Sequence, residues 1–252
     1  MCPYIDTPTL EEGMYVQLGF DANDVANYMA KEIDYNVNSK KANEIRMIDY
    51  KIDNYRYYLK NDFRFTCENI EQKKYYLKQL ADETFNKYNF FRIAVDTNSY
   101  WDHKWQLSAL FPSMGLSRRF HHVYKGIDIP YDVWSNIHFG AIGRYCEVSE
   151  LILLLASDGA QMGSDAMKIK RDCESDIQQY HLFTCIKNTY YKLKENGIGD
   201  TNCDQSAIKI GFAIYNEFVK NNKQVNAQNM IDDIMTNTVY KAYFDTGECK
   251  DE

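Results

Sequence analysis

The chain has no cysteine pair in C-x-x-C spacing, no long apolar run and no surplus of basic charge, and each absence removes a class of protein. Its seven cysteines, Cys2, Cys67, Cys146, Cys173, Cys185, Cys203 and Cys249, are scattered and odd in number. That spacing excludes a zinc knuckle and a complete disulfide framework, and it predicts reduced, mostly buried thiols in a reducing compartment. The longest purely apolar run, Leu151 to Ala156, falls far short of the roughly 20 residues that span a bilayer. A soluble chain without membrane insertion is expected. Met1 to Met14 carries acids and prolines where a signal peptide needs a basic patch and an apolar run. A formal net charge of −7 and an isoelectric point near 5.3 argue against holding nucleic acid on a broad basic surface, because that mode neutralises several phosphates with Lys and Arg. A short, local phosphate site is compatible with the same numbers. Internal repeats and low-complexity tracts are also absent.

What is present is a core-forming composition. With 252 residues, 45% hydrophobic and 15% aromatic, the chain can bury a core as one domain or as one domain with a helical extension. Asp21 to Ile33 predicts a helix with Val25, Tyr28, Met29 and Ile33 on one face and Asp21 as its cap. After a polar break at Asn36 to Lys40, Ile45, Ile48, Ile52, Tyr55 and Leu59 form a continuous apolar stripe. A third helix is expected from Asn69 to Tyr88, with the pattern changing at Phe90. Phe120 to Trp134 fits two short strands around a Lys125-Gly126 turn, followed by a short helix that Asp132 caps. Val148 to Gln161 reads as a central buried helix, Gly163 to Asp176 as irregular, Ile177 to Glu195 as helical and Gly197 to Cys203 as a loop. Asp204 to Lys220 reads as the last strong helix, with Ala207, Ile208, Ile210, Ala213, Ile214 and Phe218 inward. The expectation is a mainly α fold: a single helical domain with a small β-hairpin excursion and a central buried helix.

Polar residues inside apolar surroundings mark the chemistry. Asn136 to Gly143 sets an amide, a histidine and two glycines in an apolar segment, where a buried polar group without a partner costs about 1–3 kcal/mol. His138 is the leading general acid/base candidate, since imidazole titrates nearest neutrality. The plainer reading is a core histidine tied to Asn136 or a carbonyl, with Gly140 and Gly143 serving helix packing. Trp101-Asp102-His103-Lys104 offers a ring for stacking, an acid, an imidazole and a cation suited to an anionic transition state. Its plainer reading is an aromatic anchor loop with solvated charges. Asp204-Gln205 stands where a helix begins, so Asp204 also reads as an N-cap, a role that leaves Gln205 unexplained. Arg144, directly after the glycines, suits phosphate or carboxylate. Asp200 with Asp204 is weak as a cation site, and His121, His122 and His181 read as surface or packing residues. No metal and no cofactor is expected.

Asn136-Ile137-His138-Phe139-Gly140-x-Ile142-Gly143, then Asp204-Gln205-x-Ala207-Ile208-x-x-Gly211-x-x-x-Tyr215, with Trp101-Asp102-x-Lys104 upstream, resembles the bacterial polymorphic toxin type 44 domain. The resemblance covers about Phe90 to Lys220. Phe139 stands where that family usually has a tyrosine, Ala141 replaces another aromatic, and Asn202 takes the place of a proline. The resemblance implies a mostly helical bacterial toxin domain, delivered into competitors as part of larger secreted proteins, countered by a cognate immunity protein, and usually described as a predicted ribonuclease. It divides the chain into an N-terminal helical segment (1–89), the toxin-like domain (90–220) and a C-terminal helical tail (221–252).

Three functions then compete. A ribonuclease-like hydrolase would use His138 as acid or base, Asp102 or Asp204 as its partner, and Lys104 or Arg144 on the phosphate, with Trp101, Asn136 and Gln205 holding substrate. A cell-wall hydrolase would pair Asp102 with Asp204 or Glu150 and stack Trp101 on a sugar. A catalytically silent interaction module is the third. If there is one site, the segments around Trp101, His138 and Asp204 converge on it.

Overall fold

The computed structural model describes residues 21–61, 70–96, 99–112, 120–157 and 202–247. The architecture is mainly α with one two-stranded antiparallel hairpin. The regions read above as an irregular stretch and a helix over 163–195, together with His181 and Asp200, lie outside the described residues.

Helix α1 (Ala22–Val37) is capped by Asp21, whose side chain accepts the Asn23 N–H, and it buries Val25, Met29 and Ile33 as its periodicity predicts. Helices α2 (Lys40–Asn61) and α3 (Ile70–Val95) pack against each other as a hairpin. α3 continues past Phe90, where a change of pattern was expected. Lys87, Phe91 and Ala94 are all buried at helical spacing, so the inward stripe persists where the local composition looks strand-like. A short helix, α4 (Lys104–Leu110), follows and buries Leu107.

Strands β1 (His121–Tyr124) and β2 (Ile127–Pro130) pair with His122 opposite Ile129 and Val123 opposite Asp128. Both turn residues, Lys125 and Gly126, have positive φ (48° and 81°), as a tight two-residue hairpin turn requires. β2 runs directly into α5 (Tyr131–Tyr145), whose cap position is Pro130. Asp132 therefore sits inside the first turn, not ahead of it.

Among the described residues the centre is α5 packed on α7 (Asn202–Glu217), rather than the described part of the Val148 to Gln161 segment. That segment forms α6 (Glu150–Ser157), in which Leu153 is fully buried while Leu151, Ile152 and Leu154 are half-buried. α6 is apolar all round, but among the described residues it offers one deep contact, Leu153 against Gly143. α5 instead buries nine of its fifteen residues. It can do so because Gly140 and Gly211 lie where the two helices cross. A Cβ on Gly140 would overlap the Ile208 carbonyl, and one on Gly211 would overlap the Ile137 carbonyl. The glycines thus serve backbone-to-backbone packing. On α7 Phe212 is inward and Ala213 exposed, the reverse of the expectation for Ala213. After a 3-10 turn (Val219–Asn221), α8 (Ala227–Thr236) and α9 (Thr238–Thr246) complete the described chain, each capped by an asparagine side chain.

Cys146 is a free, buried thiol, but Cys203 is disulfide-bonded, which corrects the expectation of reduced thiols throughout. No helix of the described residues is long and apolar enough to cross a membrane.

Candidate functional site

Asn136 and His138 are two positions apart on α5, a rotation of about 200° at 3.6 residues per turn. Their side chains therefore leave the helix on opposite faces, and each finds its own polar cluster.

On one face His138 enters a closed well formed with α1 and the start of α4. It is 1% exposed. Its Nε2 lies 3.0 Å from the Asn36 amide nitrogen and 3.2 Å from His103 Nε2, with the two imidazoles edge to face at 4.1 Å between centroids. Gln106 Oε1 accepts the Tyr28 hydroxyl at 2.9 Å and lies 2.8 Å from His103 Nδ1. An oxygen there makes Nδ1 the protonated nitrogen of His103 and leaves a lone pair on its Nε2; His138 Nε2 faces both that lone pair and the Asn36 amide nitrogen and can satisfy one of them, not both. Burial, then the neighbouring His103, pushes the His138 pKa well below its ordinary value, and burial lowers His103 as well. Both rings are thus held neutral. At the edge of the well the Tyr28 hydroxyl is pushed up to about 12, by burial and then by the charge of Glu32.

On the other face Asn136 Nδ2 donates to Asp204 Oδ1 at 2.6 Å, joining the two helices that the sequence motifs occupy. Asp204 is in the first turn of α7, so it does not cap the helix from outside. The Asp132 carboxyl, in the first turn of α5, is raised above its usual range by burial and next by the charge of Asp204, with Lys104 acting in the opposite direction. Asp132 therefore feels both the charge of Asp204 and that of Lys104. Beneath them the Tyr240 hydroxyl donates to the Cys203 carbonyl at 2.6 Å, and its pKa is raised by burial and then by Asp132 and Asp204. Asp132, Asn136 and Asp204 are half-buried, and the Lys104 side chain is exposed. This cluster is half-buried where His138 and His103 are fully buried.

The remaining candidates divide plainly. Asp102 accepts the Lys104 backbone N–H at 3.1 Å and so fixes the start of α4. Trp101 is buried against Phe91, with centroids 6.1 Å apart, and is not available for stacking on a ligand. Arg144 is in the last turn of α5, about 18 Å along the helix from Asp132. It donates to the Val148 carbonyl, pairs with Glu150 at 3.4 Å and lies over the Tyr215 ring, which binds both Arg144 and Glu150 into the scaffold. Gln205 is half-buried beside Asp204. His121 lies 2.9 Å from the Tyr243 hydroxyl, and His122 accepts the Trp134 indole N–H, as packing residues do. So Asn136 and Asp204, from two separated motifs, are joined by a hydrogen bond, Lys104 of the third acts by charge on Asp132, and His138 faces the other cluster.

Asp132 is the site residue that sequence reasoning assigned to a cap and nothing more. Its available signal was a carboxylate in the first turn of the same helix that carries Asn136. Asn36, Gln106 and Glu32 had no signal of their own, because they sit in ordinary helical or turn contexts. Among the described residues no three His, Cys, Asp or Glu side chains are grouped as metal ligands.

No curated protein and no solved structure matches this chain. The model of the bacterial toxin 44 family matches residues 90–217, just over half of the chain and the stretch that holds Lys104, Asp132, Asn136, His138 and Asp204. The chain belongs to the bacterial toxin 44 family and carries a bacterial toxin domain.

Proposed function

We propose that this toxin is a ribonuclease-like hydrolase whose reacting groups are Asp132, Asp204 and Lys104, with Asn136 orienting Asp204. The Asp204 carboxylate takes the proton of a ribose 2′-hydroxyl as that oxygen attacks the adjacent phosphorus. The Asp132 carboxyl gives a proton to the departing 5′-oxygen, leaving a 2′,3′-cyclic phosphate. Lys104 stabilises the negative charge that gathers on the phosphoryl oxygens.

The observation that carries this reading is the Asn136–Asp204 hydrogen bond between α5 and α7, with the charge of Lys104 felt at Asp132 in the first turn of α5. Hydrolysis of a glycoside passes through a state with positive charge on the sugar, which a neighbouring ammonium would oppose. Phosphoryl chemistry builds negative charge at the centre, which the same ammonium favours. The cell-wall reading retains one supporting observation, the proximity of Asp132 to Asp204, a carboxylate pair different from the ones expected from sequence.

His138 then acts as a positioning residue. Its contact with His103 holds the residue next to Lys104, so the closed well sets where the cation stands. Asn36, from the N-terminal segment, completes that well, so the working unit extends beyond 90–220 to include α1. A delivered bacterial effector of this kind would be met by an immunity protein in its producer.

Purified chain assayed on RNA and on a cell-wall suspension tests the proposal. RNA cleavage that falls about 10²–10⁴-fold in Asp204→Asn and Lys104→Gln is the expected result. Loss of wall turbidity without RNA cleavage would transfer the same carboxylates to a glycan, and activity on neither would leave an interaction module.

A further inference from the structure

The α2–α3 hairpin differs in charge from the rest of the molecule. Its two helices hold eleven basic and six acidic residues, leaving 18 basic and 30 acidic residues elsewhere. A chain of net charge −7 therefore carries two helices that together are +5 against a −12 remainder.

The base of the hairpin is anchored. Lys87, buried on α3, donates to Asp49 of α2 at 2.6 Å and to the Glu147 carbonyl just beyond α5 at 2.8 Å. Between Asp53 and Asn61 on α2, and between Ile70 and Asn86 on α3, no residue is fully buried. In the outer part, residues 54–61 and 70–80, five basic residues (Arg56, Lys60, Lys73, Lys74 and Lys78) accompany one acid, Glu71. Arg56 pairs with Asp53 and Lys74 with Glu71, but both pairs are exposed, where such contacts are weak and readily exchanged.

Aromatic rings lie between these cations. Both helices carry Tyr-Tyr-Leu-Lys, at 57–60 and 75–78. Tyr58 stacks on Tyr76 at 5.5 Å and 18°, and Tyr55 leans on the same ring at 6.2 Å. Tyr57 and Tyr75 extend the cluster outward and are 64% and 55% exposed. Tyrosines with open π-faces set among Lys and Arg are the elements by which proteins hold single-stranded nucleic acid without reading its sequence. An anionic bilayer would call instead for a continuous apolar face of Trp, Phe or Leu.

We propose that the outer part of the α2–α3 hairpin is a binding arm for single-stranded RNA, recruited by charge and held by base stacking on Tyr57 and Tyr75. That the bound RNA is also the substrate rests on the ribonuclease reading; the binding itself does not.

The test uses the full chain with Asp204→Asn, to prevent cleavage, and an unstructured fluorescein-labelled RNA followed by anisotropy over a range of salt. Lys60→Gln, Lys73→Gln and Lys74→Gln together should weaken binding at least tenfold and reduce the log-log salt slope by about 2, given about 0.7 per phosphate contact on single strands. Tyr57→Ala with Tyr75→Ala should also weaken binding at least tenfold at fixed salt. Both tyrosines are at the exposed edge of the cluster, and circular dichroism checks that the hairpin keeps its helices. Absent RNA binding, binding unchanged in both variant sets, or capture of phosphatidylglycerol vesicles in place of RNA would overturn the arm. RNA binding without cleavage by the parent chain would overturn only the ribonuclease reading, and cleavage with intact binding in the arm variants would overturn only the arm.

Discussion

The two polar clusters flanking α5 share a motif and a helix, yet one is sealed and the other open. In the histidine well two neutral imidazoles and an amide meet inside the core, and folding has removed water from all three. In the acidic cluster Asp132 and Asp204 are half-buried, and the exposed Lys104 acts on Asp132 by charge. A reacting group must reach its substrate, and the half-burial of the second cluster is what supports its place in the proposed reaction. The first holds α1, α4 and α5 in register.

Replacement across the two clusters should separate those roles. Asp204→Asn keeps an oxygen to accept from Asn136, so toxicity in a cytoplasmic expression assay should fall about 10²–10⁴-fold while the melting temperature barely moves. An equally active variant would remove Asp204 from the reaction. His138→Ala should instead lower toxicity and stability together, by about 1–3 kcal/mol in unfolding free energy, because Asn36 and His103 each lose a buried partner. Denaturant unfolding reads this directly, and loss of toxicity at full stability would return His138 to the role of acid or base. Gly140→Ala tests the wall between the clusters. Its methyl would meet backbone on α7, and overpacking of that kind costs about 1–3 kcal/mol or more. Unchanged stability would mean that α5 and α7 can separate without loss.

A pH scan sharpens the contrast further. Folding lowers the pKa of His138 and His103, so the stability that the neutral pair contributes is complete above the unfolded value of about 6.5 and is lost as pH falls from there toward the folded values. Asp132 runs the other way. Its raised pKa gives stability that is present at low pH and lost as pH rises through the folded value, so it produces no loss on acidification. The melting temperature should drop between pH 7.5 and 5.5 in the parent and drop less in His138→Asn; equal slopes would disconnect the well from the acid response. The smallest effect is expected from Lys40→Gln, whose pairing with Glu44 is on the exposed surface, within about 0.5 kcal/mol of the parent by the same unfolding measurement.

Much of the fold was legible because it is written in local periodicity. The stripe of Ile45, Ile48 and Ile52, the Asp21 cap and the Lys125-Gly126 turn each depend on neighbours within a few residues. The site was legible only in part, since the motifs named Lys104, Asn136 and Asp204 but could not say that Asn136 and His138 would part company. That depends on which helices approach α5 from each side. The mistaken choice of central helix has the same origin. Leu151 to Ala156 is the most apolar run, but centrality came from Gly140 and Gly211, residues with no side chain to declare it. A basic arm was invisible in a net charge of −7, because a sum over the chain conceals how charge is distributed.

The bond between Asn136 and Asp204 has a consequence in time as well as space. It closes a loop of 68 residues, and so does the helix crossing on which it depends. During synthesis α1 through α5 emerge first, and they can complete the histidine well while α7 has yet to leave the ribosome. The two acids meet only after that long loop has closed, a step that contacts of such sequence separation make slow. On the proposed reaction, the nascent chain therefore lacks its paired acids until α7 has been made.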